Sequence, residues 1–331
     1  MTPAEQAVAH VRALGAEGVL PVPDARITVN FHPDRLLGDG ATVAEHLATD
    51  GVYRSQFETR ISNGGLTAYP GGDRHRWEQR IFAGAYPSEA TLGRPVYGGL
   101  NLARHADGAA PRFGSCHLLL RAEVAGRSTF SHGDSASEPT VFGTADRFGA
   151  IWAALLDEAG RTGRALGLTA ASPEEWTAAL AVRRPGPGRA MDDYVETQIH
   201  GGLRLHDDVE AVVCDPAFAG TATAAHLASI APLRWHPGFV LEATGFPADL
   251  RGPEAAELAR ALARSLGTPV IDAAVIGAAT HRPGDLARFG TPAEVLQLLK
   301  YLWHILVLRG RPRWPSPRGG VVSGGTVTCP L

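Results

Sequence analysis

The sequence predicts an α+β fold: a mixed or largely antiparallel, split β-sheet core, helices around it, and a mostly helical C-terminal portion packed on that core. Three observations carry this. Short segments in which apolar and polar residues alternate recur between residues 26 and 215, and a period of two belongs to strands with one face on a core. Segments of helical spacing surround them and dominate after residue 216. The clearest alternating segment, Tyr194 to Leu205, sets Glu196, Gln198 and His200 against Val195, Thr197 and Ile199, so a strand there has one polar face and one β-branched face.

Taken in order, residues 3–16 read as an amphipathic helix with Ala7, Val8, Val11 and Leu14 at helical spacing and Thr2 as its N-cap. Residues 26–31 alternate like a strand, and Pro33 stops it, leaving His32, Asp34 and Arg35 displayed at its end. A short helix is expected over 41–50, then a strand through Arg54, then a glycine-rich polar loop to Arg74 anchored by Tyr53, Phe57, Tyr69 and Trp77. Long ordered loops of this kind are disproportionately functional, and Asn63-Gly64-Gly65 and Pro70-Gly71-Gly72 would let backbone amides approach a ligand. Residues 73–83 read as a helix, 95–102, 112–120 and 128–131 as strands, 144–166 and 173–182 as helices. Residues 183–189 have the composition of a linker and deliver the polar strand. Beyond it, strands are expected at 209–214 and 238–243 and helices at 221–230, 253–266 and 292–308, with 270–279 open between strand and buried helix and an irregular tail from 309.

This organisation divides the chain into a helical lead (1–25), an α+β core (26–215) and a helical extension (216–331). A single domain stays open because no linker separates the last two, and strand-helix-strand runs after residue 206 leave an α/β arrangement open.

Composition narrows the functional classes. The net charge of −3 gives no global field for nucleic acid or an acidic membrane, so neither is expected as a partner. Lys300 is the one lysine among 31 cationic residues, a bias that reads as genomic rather than functional. Cys116, Cys214 and Cys329 form no CxxC or Cys/His pattern, so neither zinc nor a disulfide framework is expected, and no metal site is. The N-terminal residues lack a basic segment followed by an apolar one, and the longest apolar run, 301–308, is too short for a bilayer, so a cytoplasmic location is expected. The sequence holds no P-loop, no GxGxxG opening a helix, no G-x-S-x-G and no HExxH.

What remains is Arg54, then a segment bearing Ser115 and His117, then the strand bearing Glu196 and Gln198. This order resembles the ADP-ribosyltransferase superfamily, with an arginine on a first strand, a serine-centred second strand and a Glu-x-Glu or Gln-x-Glu strand further on. The segments Phe31-His32-Pro33-Asp34-Arg35, Tyr53-Arg54-Ser55-Gln56-Phe57-Glu58 and Ile61-Ser62-Asn63-Gly64-Gly65 are also similar to those of a bacterial family of unknown function.

The first resemblance implies an enzyme that bends NAD, its substrate, in a cleft between two small sheets and breaks the nicotinamide-ribose bond. Arg54 would pair with the pyrophosphate. Ser115, or in competition Ser128 of Arg127-Ser128-Thr129-Phe130-Ser131, would hold the nicotinamide side. Glu196 would stabilise the positive charge developing on the ribose. His32, Arg35, Asn63, Gly64, Tyr97 and His117 are further candidate contacts to the dinucleotide, and His200 and Asp73 candidate contacts to the acceptor, a protein or a small molecule. The family's catalytic acid is usually the second of its Glu-x-Glu, where this chain has Gln198. Either Glu196 acts in a shifted register or Gln198 occupies the usual site with altered chemistry. Two other readings stand beside this one: a general acid/base hydrolase or lyase using Glu196 with His200 or His32, and a non-enzymatic binding protein that recognises its ligand through the loop of residues 54–74.

Overall fold

The computed structural model describes residues 1–15, 22–60, 67–182 and 186–313. Its strands are β1 (Ile27–Phe31), β2 (Val96–Leu100), β3 (Cys116–Leu120), β4 (Ser128–His132), β5 (Phe142–Thr144), β6 (Arg164–Ala165), β7 (Leu168–Thr169), β8 (Val195–Ile199), β9 (Val209–Cys214), β10 (Leu233–Trp235), β11 (Val240–Glu242) and β12 (Val270–Asp272). Its α-helices are α1 (Pro3–Leu14), α2 (Val43–Asp50), α3 (Gln56–Thr59), α4 (Asp73–Ile81), α5 (Gly149–Thr162), α6 (Pro173–Leu180), α7 (Leu205–Asp208), α8 (Ala222–Ile230), α9 (Ala248–Arg251), α10 (Pro253–Leu266), α11 (Ala273–Thr280) and α12 (Pro292–Arg309).

The α+β expectation is met. Eight strands join in the order β10-β9-β3-β1-β2-β8-β4-β5, and every pairing is antiparallel except β9 with β10. Directly paired residues in antiparallel strands share a face. Thr28 pairs with Gly99, Gly99 with Glu196 and Glu196 with Ser131, while Asn30 pairs with His117 and Gln198 with both Tyr97 and Thr129. One face of five neighbouring strands is therefore largely polar. The other carries Ile27, Val29, Phe31, Leu118, Phe130, Val195 and Ile199, all buried, and each such side chain stabilises the fold by about 1.5–3 kcal/mol.

Helices begin where their sequences say they should. Thr2, Thr42 and Thr291 each close a capping box with a glutamate three residues on, which satisfies two orphan amides at each start. Helix α5 sets Ile151 and Leu155 under the apolar sheet face, and Phe148 meets Phe130 edge-on at 5.6 Å. Helix α12 is buried continuously from Leu302 to Val307, and its Trp303 packs edge-on against Phe239 at 5.6 Å. One continuous cluster of buried apolar side chains runs from Ile27 to Val307, so the C-terminal helices share the core of the sheet. A second, smaller cluster joins Ala7 and Val11 of α1 to Trp77, Ile81, Phe82 and Tyr86.

Three local readings resolve differently from the sequence. Residue 54 is on no strand: only Val52 makes an isolated bridge, to Arg204, and the single-turn α3 follows. Its Ser55 and Glu58 form a capping box, a helix-start signal that outweighs the local alternation. The segment before β3 begins as a 3-10 turn over Pro111–Phe113 rather than as strand. The ambiguous stretch at 270–279 is both things in turn, β12 and then α11, divided at Asp272, whose carboxylate caps the helix through Val275 N–H.

Candidate active site

Strand β8 lies between β2 and β4, and from its polar face Glu196 lines a cleft. Glycines at 98 and 99 of β2 make room beside it. A Cβ on Gly99 would stand 2.7 Å from Ala109 Cβ and 3.0 Å from the Tyr194 ring, so only hydrogen fits where those side chains close over the strand.

Glu196 is 3 % exposed and fully engaged. Its Oε2 accepts from Ser135 N–H at 3.2 Å, Ser135 Oγ at 3.0 Å and Tyr194 OH at 3.3 Å, and its Oε1 accepts from Gln198 Nε2 at 3.1 Å. Burial pushes the Glu196 carboxyl above the usual carboxylate range, a shift that Arg74 opposes and Asp134 reinforces.

Arg74 is the cation of this site. It is 4 % exposed, lies over the Tyr97 ring at 3.9 Å, donates from Nη1 to Ser135 Oγ at 2.5 Å and reaches 4.0 Å from Glu196 Oε1. Behind it, Tyr97 OH donates to Glu78 Oε1 at 2.7 Å, and Glu78 Oε2 holds Arg94 Nη1 at 2.8 Å in a fully buried ion pair. Helix α4 thereby carries both Arg74 and Glu78 to the sheet, four residues apart on one face. On the opposite wall Tyr194 OH donates to Asp134 Oδ2 at 2.9 Å.

The residues expected from sequence separate by position. Glu196, Tyr97, His32, Arg35 and Arg54 all line the cleft. Arg54 stands at its rim with its side chain 43 % exposed, in an ion pair with Asp50 at 2.8 Å. The His32 ring meets Trp303 edge-on at 5.2 Å, and burial drives its pKa down to about 3.

Gln198, His200, His117, Ser115 and Ser128 are buried outside the lining. Gln198 donates to Ser131 Oγ at 3.3 Å as well as to Glu196, and its Oε1 accepts from Thr129 Oγ1 at 2.8 Å. His200 is reached through that threonine at 3.0 Å, and Tyr86 OH bonds its Nδ1 at 2.6 Å, so no direct contact joins His200 to Glu196. Burial lowers the pKa of His200, and equally that of His117, to about 3. Ser128 Oγ is spent on Val124 O at 2.8 Å, while Ser115 Oγ and His117 Nδ1 have no partner.

Asp73 belongs to neither group. It sits at the start of α4, where its N–H donates to Thr67 Oγ1 at 2.8 Å and its carboxylate pairs with Arg76, away from the lining. Asn63 and Gly64 lie outside the described residues. Among the described residues no group of three His, Cys, Asp or Glu side chains is placed to hold a metal ion, and no helix is long and apolar enough to cross a membrane.

Sequence reasoning passed over Arg74, Asp134 and Tyr194. Arg74 falls where the polar loop meets the helix expected over 73–83, Tyr194 opens the alternating segment in phase with Glu196 without reading as a site residue, and Asp134 gives no periodic signal. A usable one existed at Thr28 and Asn30, polar residues alternating through an otherwise apolar strand, and both line the cleft.

Residues 26–309 match a family model described as a protein of unknown function (DUF3626). No curated protein matches the chain.

Proposed function

Because the chain belongs to the DUF3626 family, which brings no activity with it, we propose a function from the cleft itself: an NAD-consuming enzyme, an ADP-ribosyltransferase or NAD glycohydrolase, with Glu196 as its carboxylate. The observation that carries this reading is the pairing of one buried, cleft-lining carboxylate with a preorganised set of donors, while arginines 35 and 54 line the same cleft.

The chemistry is the cleavage of the bond between the nicotinamide nitrogen and the ribose. Its electron pair leaves with nicotinamide, whose ring becomes neutral, and positive charge develops on the ribose. A carboxylate fixed beside that carbon stabilises the charge without reorganising, the kind of electrostatic contribution that often dominates catalysis. Ser135, Tyr194 and Gln198 orient Glu196, and Arg74 favours its ionised form. The ribosyl carbon is then taken by water, or by a nucleophilic oxygen or nitrogen of a protein or small-molecule acceptor, which gives up a proton. Arg35 and Arg54 supply charge for the phosphates. Tyr97, with Arg74 over its ring, offers an aromatic wall beside the carboxylate.

The test is direct. Purified protein is incubated with NAD, with and without cell extract as a source of acceptors, and free nicotinamide is followed for wild type and Glu196→Gln. Release by the wild type that the variant abolishes supports the reading. Absence of both NAD binding and nicotinamide release under every condition rejects it.

A further inference from the structure

We propose that Asp134 is a second catalytic carboxylate of the cleft, the base that takes the proton from the water or acceptor group attacking the ribosyl carbon, while Glu196 holds the charge. This deepens the function proposed above and rests on it, because a base is needed only where such a nucleophile attacks.

The turn after β4 brings the two acids together. Ser131 pairs with Glu196 across β4 and β8, Gly133 turns the chain with a left-handed φ of 96°, and Asp134 and Ser135 follow at once. The same turn thus delivers Ser135, whose N–H and Oγ bind Glu196, and the carboxylate of Asp134, which lines the same cleft and is 8 % exposed. Tyr194 OH stands between the acids, 2.9 Å from Asp134 Oδ2 and 3.3 Å from Glu196 Oε2. One hydroxyl therefore separates the two carboxylates.

Their roles divide by the acceptor capacity each has left. A carboxylate has about four lone-pair sites. Glu196 takes Ser135 N–H, Ser135 Oγ and Gln198 Nε2, and the tyrosine hydroxyl stands at its Oε2 as well, with Arg74 at 4.0 Å from Oε1. So crowded a group suits a fixed charge and has little room for an incoming proton. Asp134 takes only Ala136 N–H, at Oδ1 and 2.7 Å, besides the tyrosine, and among the described residues no cation forms an ion pair with it. About half of its acceptor capacity is free.

The other titratable side chains of the lining are poorer bases. Both ring nitrogens of His46 are taken, by Asp39 at 2.8 Å and Asp50 at 3.1 Å, and Asp50 also pairs with Arg54 at the rim. Burial holds the His32 imidazole at a pKa of about 3, too low to keep a proton at neutral pH. In the step itself the nucleophile's O–H or N–H bond breaks and its proton passes to a free Asp134 oxygen. A lone pair of the nucleophile forms the bond to the ribosyl carbon, whose bond to nicotinamide breaks with the electron pair leaving on the ring nitrogen.

Nicotinamide release from NAD by the full chain is measured for wild type, Asp134→Asn, Asp134→Ala and Glu196→Gln, with and without sodium azide, and melting temperatures check that each variant folds. Asparagine keeps an acceptor for Ala136 N–H, so the turn should hold. Release should fall about a hundredfold in both Asp134 variants. Azide is an anionic nucleophile with no proton to lose, so it should restore release in Asp134→Ala and not in Glu196→Gln, a difference that a structural role alone does not produce. Release that survives in Asp134→Asn, or that falls in Asp134→Ala and ignores azide, overturns the proposal. The same variants are assayed on p-nitrophenyl ribofuranoside, whose leaving group also needs no protonation. If the wild type cleaves that riboside with the same dependence on Asp134 and azide but leaves NAD intact, the NAD reading fails and the base stands. If it cleaves neither, both are overturned.

Discussion

Gln198 Nε2 donates to Glu196 Oε1 at 3.1 Å along one face of β8. The acid reaches the cleft and the amide lies behind it, its own oxygen taken by Thr129. Two polar residues of identical strand phase thus differ in access: Glu196 lines the cleft, and Gln198, two residues further on, is fully buried outside it.

The first prediction follows from that difference. Under the proposed function, Glu196→Gln keeps the shape and removes the charge, and nicotinamide release should fall about a hundredfold to a thousandfold. Gln198→Ala removes only one donor to Glu196 and should leave measurable turnover. Steady-state kinetics of both variants decides, and the reverse ranking would mean that the amide does the chemistry.

Arg74 and Arg54 should separate in the same assay. Arg54 is spent on Asp50 at the rim, half in water, whereas Arg74 is buried against Tyr97 and Glu196. Arg74→Ala should therefore reduce kcat/KM more than Arg54→Ala does, and should also move the acid limb of the pH profile to higher pH, because Glu196 loses the cation that favours its ionised form. An unchanged acid limb in Arg74→Ala would detach that residue from the carboxylate.

The Glu78–Arg94 pair makes a stability prediction independent of function. Both side chains are fully buried at 2.8 Å, and removing one partner strands the other charge. Arg94→Ala should lose about 3–5 kcal/mol in urea unfolding, while the double variant Glu78→Leu/Arg94→Met should recover most of it. A small loss in the single variant would mean that water or another donor replaces the guanidinium.

Acid should destabilise the protein through its buried histidines. His32, His117, His200 and His304 have pKa values lowered to about 3, chiefly by burial, against about 6.5 in the unfolded chain. The unfolded state then binds more protons between pH 6.5 and 3, so this stability is present above about pH 6.5 and lost as pH falls. His117→Leu should flatten the dependence by up to about 1.4 kcal/mol per pH unit in that window. Asp34 runs the other way: burial raises its pKa to about 7, so its contribution is present below about pH 4 and lost as pH rises through 7. Asp34→Asn should remove that loss, and denaturant midpoints measured from pH 4 to 8 test both signs.

What the sequence determined by itself is local. Alternation marked β1 and β8, the N-cap Thr2 marked α1, and the phase of Glu196, Gln198 and His200 put them on one face, because side-chain direction in a strand or helix follows from backbone periodicity alone. It could not rank the three by depth. It misread the surroundings of Arg54, where a capping box competed with alternation, and it passed over Arg74, Asp134 and Tyr194. Those were decided by tertiary structure for one physical reason. Which polar side chain meets the cleft, and what charge stands beside it, depends on strands and helices far apart in sequence: β2 beside β8, α4 bringing Arg74 and Glu78 to Glu196 and Tyr97, and α12 bringing Trp303 against His32. Burial, the quantity that shifts the carboxyl and the imidazoles, exists only once those elements have packed.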